Sequence, residues 1–234
     1  MPEPYTLHLD RPENNGRRFV IADIHGCFYT FQSLVKKLNL TADDHLFILG
    51  DMINRGKRSQ YVIDFILQLY VAGYKVFPLQ GNHEHVVINN CIDNPGLLST
   101  AEKKTGSISA FLNKGSIKPE YDVFFRTLPH CILSGKDLVF SHAGLNFEHQ
   151  PLTDYASMLV TRQFTYNAQS VNGRRLMHGH TPINLENIRE AIDNRSPVIN
   201  LDNGCVMKNK KPEKGNLICL DADSMELYIQ KNID

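Results

Sequence analysis

The sequence predicts an α/β protein in which two β-sheets pack on each other. Two observations predict it. Over roughly the first half of the chain, short β-prone runs alternate with stretches of helical apolar spacing, and the second half carries a further series of short β-prone runs. The bulk properties agree: 234 residues with 42% apolar and 21% charged side chains suit a folded domain with a sizeable core.

In chain order, Arg18 to Ala22 is a β-prone run, and Phe28 to Leu38 repeats apolar residues at helical spacing through Phe28, Phe31, Leu34, Val35 and Leu38. His45 to Leu49 is a second strand, Gln60 to Val71 a second amphipathic helix ended near Gly73, and Lys75 to Leu79 a third strand. A third helix starts within Glu84 to Cys91. Strand, helix, strand, helix, strand at this spacing is a βαβαβ unit, whose right-handed crossovers make its strands parallel. The loops after those strands then share one edge of the sheet, where open α/β sheets build their sites. Beyond it, Pro95 to Gly106 reads as loop and Glu120 to Leu128 as helix. Strands follow at Cys131–Leu133, Asp137–Ser141, Arg175–His178, Val198–Leu201, Leu217–Asp221 and Glu226–Ile229, which suggests a second sheet. With no repeat and no low-complexity linker, residues 1–234 read as one domain.

Charge and cysteine usage exclude several classes. Lys plus Arg and Asp plus Glu each number 25, for a net charge of zero, which argues against a generally basic nucleic-acid binder. The five cysteines are scattered and contain no Cys-x-x-Cys pair, a poor disulfide framework and a poor zinc ribbon. No run approaches the roughly 18 apolar residues of a spanning helix, and Met1 to Phe19 has no apolar signal core. A cytoplasmic protein without a membrane or nucleic-acid partner is expected, of unspecified oligomeric state.

The chemistry sits at the strand ends. The first strand runs into Asp23-Ile24-His25-Gly26, the second into Gly50-Asp51-Met52-Ile53-Asn54-Arg55-Gly56, and the third into Gly81-Asn82-His83-Glu84. Later strands lead to Ser141-His142-Ala143-Gly144 and to His178-Gly179-His180. Oxygen and nitrogen donors without thiolate suit manganese, iron, zinc or nickel. A pair of such ions can activate water, orient a phosphoryl group and neutralise developing charge, and arginine forks suit phosphate oxygens.

These five motifs, in this order and each after a strand, resemble those of the calcineurin-like metallophosphoesterases. The likeness is greatest to their phosphoprotein phosphatase branch in its bacterial and lambda-phage serine/threonine form. The resemblance spans residues 22–181. It implies the family's sandwich of two mixed sheets flanked by helices, with two divalent metals, manganese first, at the strand C-terminal ends. Asp23 and His25 would bind the first metal, Asp51 both, and Asn82, His142 and His180 the second. His83 would be the general acid. Arg55, and Arg162 after a short helix, would clamp phosphate, with Asn82 also facing substrate. The implied reaction is direct attack of a metal-bridging hydroxide on the phosphorus of a phosphorylated protein or small phosphoester.

Two positions depart from the family pattern. Ala22 replaces a glycine without evident consequence. Asn54 replaces the aspartate that holds the catalytic histidine protonated; an asparagine can accept that bond through its carbonyl but supplies no charge, so good leaving groups should be favoured over serine phosphate. The leading expectation is a serine/threonine protein phosphatase. One alternative is a diadenosine polyphosphate hydrolase, whose base pocket would be sought in the segment from Asn90 to Pro129. The other is a non-catalytic phosphate-binding scaffold.

Other features carry milder readings. His8, His45, His130 and His149 are expected to be structural or exposed, His85 a helix-surface residue, and Cys27 structural. His178, two residues before His180 on one strand face, is a possible support for the site. The lysine-rich run from Lys208 to Lys214 reads as a solvated hairpin loop or a contact for an acidic partner.

Overall fold

The computed structural model describes residues 5–94, 108–208 and 213–234. The expected loop at residues 95–106 lies outside the described residues, as do Lys210 and Lys211. Strands β1 (Thr6–Leu9), β7 (Cys131–Ser134), β8 (Leu138–Ser141), β9 (Arg175–His178) and β10 (Val198–Asn200) form one five-stranded sheet in the order β1-β7-β8-β9-β10. Strands β2 (Arg18–Ile21), β3 (His45–Ile48), β4 (Lys75–Pro78), β11 (Asn216–Asp221) and β12 (Leu227–Lys231) form the other, in the order β12-β11-β2-β3-β4. Between them in sequence lies a short hairpin of β5 (Leu112–Asn113) and β6 (Ser116–Ile117).

Both sheets are mixed. The β2-β3-β4 unit is parallel, as its crossovers require, with helices α1 (Phe28–Leu38) and α2 (Ser59–Val71) as the connections. β11 joins β2 antiparallel. β7 and β8 pair antiparallel while β1-β7, β8-β9 and β9-β10 are parallel. Strands β11 and β12 thus extend the sheet of β2, β3 and β4, whereas the sequence placed all late strands in a second one. β10 and β11, which flank the run from Lys208 to Lys214, lie in different sheets, so they do not form the hairpin that the sequence suggested.

Alternation along the strands explains why the sheets stack. Phe19, Ile21, Leu46 and Ile48 share an apolar cluster with Phe31, Leu34, Val62 and Ile66 of the helices. Their strand neighbours Val20, Ala22, Phe47 and Leu49 point the other way and meet Ile132, Phe140, Met177 and Ile199 of the second sheet. A strand covered on both faces shows no polar face, so β2 and β3 are buried at every position. The outer face of the second sheet, with Cys131, Leu133, Val139 and Leu176, is covered by Leu145, Met158 and Val171.

The remaining helices are α3 (Asn82–Val87), which passes into a wider turn at Ile88–Ile92, α4 (Pro119–Arg126), α5 (Tyr155–Val160) and α6 (Leu185–Asp193). Buried Ile188 and Ile192 of α6 join the inter-sheet core. Among the described residues no helix is long and apolar enough to cross a membrane. His8 and His149 are exposed, while His45 and His130 are buried against aromatic rings of Phe77 and Tyr155. Cys27 is buried at the start of α1, and Asn232 donates to its sulfur at 3.3 Å.

Asp44, only 3% exposed, fastens the entry to β2 onto the entry to β3. It accepts hydrogen bonds from the Arg17 backbone (2.7 Å), from Arg17 Nη2 (2.8 Å) and from the Thr41 backbone (2.8 Å). Burial pushes its carboxyl up, but the Arg17 bonds and the Thr41 N–H outweigh that and bring it down to about 2. A depressed carboxylate stabilises the fold above its unfolded pKa of about 3.9, and the contribution fades as pH falls toward the folded value. Stability of the protein should therefore lose about 2 kcal/mol from this group between roughly pH 5 and pH 2. Asp44→Asn should be weaker by about that much near pH 7 and lack this share of the acid dependence, as read by urea midpoints across pH.

Candidate functional site

Six strand ends deliver polar side chains to one edge of the sandwich. β2 leads to Asp23 and His25, β3 to Asp51, β4 to Asn82 and His83, β8 to His142, β9 to His180 and β10 to Asp202. The backbone there is unusual. His25, Asp51, Asn54, Arg55 and His180 all have φ between 47° and 69°, a left-handed conformation that costs a non-glycine residue roughly 1 kcal/mol or more.

Glu84 holds much of it in place. Wholly buried, its carboxylate accepts from the backbone N–H groups of Gly81, Asp51 and Met52 at 2.9 Å each and of Ile53 at 3.3 Å. The Asp51 carbonyl in turn accepts from the N–H groups of Ile24 (3.1 Å) and His25 (2.9 Å), so three loops form one hydrogen-bonded block. Two glycines are steric necessities. A Cβ on Gly81 would lie 2.3 Å from Asp51 Oδ1, and one on Gly179 would lie 2.2 Å from Asp23 Oδ1.

Two groups of electron-pair donors converge inside this block. His142 Nδ1 faces the Leu49 carbonyl at 2.8 Å and therefore carries the proton, leaving Nε2 as a lone pair. That Nε2 lies 3.0 Å from Asn82 Oδ1 and 3.1 Å from His180 Nδ1, and His180 Nδ1 lies 3.0 Å from Asn82 Oδ1. His25 shows the same logic: Nδ1 faces the Ile53 carbonyl at 3.1 Å, and Nε2 points to Asp23 Oδ2 (3.7 Å) and Asp51 Oδ2 (3.6 Å). Asp23 Oδ2 is buried with no hydrogen-bond partner among the described residues. Asp51 stands between the groups, Oδ2 toward His25 and Oδ1 at 3.5 Å from His142 Nε2. Acceptors packed this closely are complementary to cations, and the donor set fits two divalent metals sharing Asp51.

Electrostatics agree. Burial, and then the charges of Asp202 and Asp51, push the Asp23 carboxyl well up. Burial also raises Asp51 to about 7, against the His83 N–H and Arg55. The imidazoles move the other way: burial, then Arg55, His83 and His142, holds His25 well below its ordinary value, and burial followed by His142, Arg162, Arg55 and His178 brings His180 to about 3. Neutral imidazoles beside carboxylates that resist ionisation are a coordination shell in waiting.

His83 sits next to this shell, its Nε2 3.8 Å from Asp51 Oδ2 and its ring edge-on to His25. Its Nδ1 meets Asn54 Nδ2 at 2.9 Å. An asparagine can accept from the ring through its carbonyl; the structure turns the amide nitrogen to it. Arg55 is exposed and close enough to disfavour protonation of His25, His83 and His180, and exposed Arg162 does the same to His180. His178 is buried, its Nδ1 on the Gly179 carbonyl at 3.1 Å and its ring beside Phe164; it is not part of either donor group. His85 is half-buried on α3, held between the amides of Gln80 (2.9 Å) and Asn89 (2.6 Å).

Sequence reasoning missed two carboxylates. Glu84 stood in a quoted motif without a role. Asp202 is buried and raised by burial to about 6, and it accepts from the Gly204 N–H at 2.7 Å. Its signal was available: Leu201-Asp202-Asn203-Gly204 repeats the pattern of an apolar strand ending in a carboxylate and a glycine.

The profile of the calcineurin-like phosphoesterases matches residues 16–203. Among curated proteins, the asymmetrical bis(5'-nucleosyl)-tetraphosphatase PrpE of Bacillus subtilis is 27% identical over 219 residues, covering 82% of this chain and 87% of its own. The symmetrical bis(5'-nucleosyl)-tetraphosphatase of Buchnera aphidicola is 40% identical over 156 residues, 64% of this chain and 52% of its own. Among solved structures, a protein serine/threonine phosphatase of Saccharomyces cerevisiae superposes with a TM-score of 0.66 over 99% of this chain and 85% of its own, at 15% identity, a likeness of fold alone.

Glu84→Gln should cost about 3 kcal/mol in urea unfolding, because an amide leaves buried N–H donors facing its own N–H₂ group. Manganese should raise the melting temperature of the unsubstituted protein, and Asp51→Asn should lose most of that rise. An undiminished rise in Asp51→Asn would remove Asp51 from the metal shell.

Proposed function

We propose that this chain, which belongs to the calcineurin-like phosphoesterase family and is a phosphoester hydrolase, cleaves the phosphoanhydride bonds of dinucleoside polyphosphates. The observation that carries this reading is the amide of Asn54 against His83. With Asn54 Nδ2 donating to Nδ1 at 2.9 Å, the neutral ring keeps its one proton on Nε2. Such a ring can donate a hydrogen bond to a phosphoryl oxygen, but it has no second proton to release. A serine leaving group departs as an alkoxide and needs that proton. A nucleotide leaving group departs as a phosphate oxyanion, a far weaker base, with a pKa of about 6, and does not. Both curated relatives above are named bis(5'-nucleosyl)-tetraphosphatases, which supports the same choice over a phosphoprotein substrate.

In this reading Asp23, His25 and Asp51 hold one divalent ion, and Asp51, Asn82, His142 and His180 hold the other. When bound, the ions supply Lewis acidity to water and to the phosphoryl group. The oxygen and nitrogen donors suit manganese, with iron, zinc and nickel sharing that preference. Arg55 and Arg162 offer guanidinium forks to the phosphoryl oxygens. Asn82 turns Oδ1 to the donor group, which leaves its N–H₂ to hydrogen-bond substrate. His83 Nε2–H steadies the departing oxyanion, and Glu84 keeps the three loops in register.

Asn54→Asp tests the reading. A carboxylate there accepts from Nδ1–H and lets the ring carry two protons, so phosphopeptide turnover should rise relative to diadenosine tetraphosphate turnover, by about a hundredfold if general-acid catalysis is restored. An unchanged ratio, measured on the metal-loaded protein, would show that Asn54 does not select the leaving group.

A further inference from the structure

An apolar pocket of about 580 Å³ opens beside Asn82, and we infer that it receives a nucleobase of the substrate. The inference rests on the dinucleoside polyphosphate reading of the adjoining site. The volume lies within the range of small-molecule sites. Ile88, Leu159 and the rings of Tyr155 and His130 line it, the two rings set edge to face with centroids 5.5 Å apart. Asn82, which also belongs to the proposed phosphoryl site, lines the pocket, so the two adjoin at that residue.

Three further features select a base over other occupants. Gln80 lines the pocket and is only 4% exposed. Its Nε2 donates to His85 Nδ1 at 2.9 Å, which leaves Oε1 as an acceptor at the pocket. A carbonyl oxygen on a largely apolar wall can accept one N–H donor, which the exocyclic amine of adenine provides. The guanidinium at the pocket, Arg126, is already taken by Asp93 (2.9 Å) and Asp122 (2.7 Å), so nothing there awaits a second phosphate. The pocket thus suits a flat, neutral, hydrogen-bonding group tethered to a phosphate at Asn82. Exposed Val160 at the same pocket, 58% accessible, is apolar surface that such a group would cover. The sequence placed a base pocket in the segment from Asn90 to Pro129; of that segment, Arg126 and Leu128 reach this one.

Calorimetric titration of the metal-loaded protein with AMP and with ribose 5-phosphate tests this, because the two ligands differ only by the base. AMP should bind about tenfold tighter, as stacking a base on aromatic side chains provides. Ala156→Trp, on the exposed side of α5 where it lines the pocket, should fill it and reduce AMP to the affinity of ribose 5-phosphate. Equal affinities in the unsubstituted protein, or an AMP preference that survives Ala156→Trp, would overturn the pocket assignment. Diadenosine tetraphosphate turnover, measured on the same preparation, separates the two readings. Turnover with equal affinities overturns the pocket alone. No turnover with the AMP preference intact overturns the substrate reading and leaves a mononucleotide pocket.

Discussion

Glu84 accepts hydrogen bonds from the backbone of Gly81, Asp51, Met52 and Ile53, and the geometry of the site hangs on those bonds. Asp51 sits in a left-handed conformation and turns one oxygen toward each donor group. The carboxylate of Glu84, from the next loop, holds that backbone through its N–H groups. Its own ionisation is opposed by burial and by Asp51, which push it up to about 7, and favoured by the N–H groups it gathers. The hydrogen bonds and the neighbouring charge are therefore coupled. Cations at the site that neutralise Asp51 would also strengthen the hold of Glu84 on the backbone.

Much of this was legible in the sequence because the site is built from strand ends. The spacing that reveals strands β2, β3, β4, β8 and β9 also reveals where their chains turn, and a carboxylate or imidazole beside a glycine marks each turn. Helix α1 coincides with its apolar periodicity, Phe28 to Leu38. Other elements escaped. β1 lies at a sheet edge, where Thr6 to Leu9 alternate too weakly to announce burial, and its partner β7 is more than 100 residues away. The placement of β11 depends on Cys219, Leu220 and Asp221 pairing with β2, which no local signal carries. α6 had its signal, Leu185, Ile188 and Ile192 on one stripe, diluted by four polar residues between them. The orientation of the Asn54 amide could not have been read from residue types, since an amide offers a donor and an acceptor alike.

The zero net charge of the chain hides a strongly local distribution. Asp23, Asp51, Glu84 and Asp202 are all buried near one another, and the guanidiniums that could balance them, Arg55 and Arg162, lie exposed. At the opposite end of β2, Arg18 is itself buried and carries Asp137 and Asp223, from the turns β7–β8 and β11–β12. One end of the sandwich is thus neutralised by its own side chains, and the other is left for imported cations. An uncompensated cluster of buried carboxylates would be costly anywhere that no cation or substrate was meant to bind. Its position over the strand ends, next to an apolar pocket, is where α/β folds place ligands.

The donor groups draw on both sheets. Asp23, His25, Asp51 and Asn82 follow strands of one sheet, and His142 and His180 follow strands of the other. Neither sheet alone carries the full set, so the centre exists only after the two have docked through the Phe47, Phe140 and Met177 interface. Ion capture would then act as a checkpoint on assembly. A chain with its sheets misaligned could not gain the binding energy, and occupancy of the shared Asp51 would rivet the layers from above as Arg18 does from below.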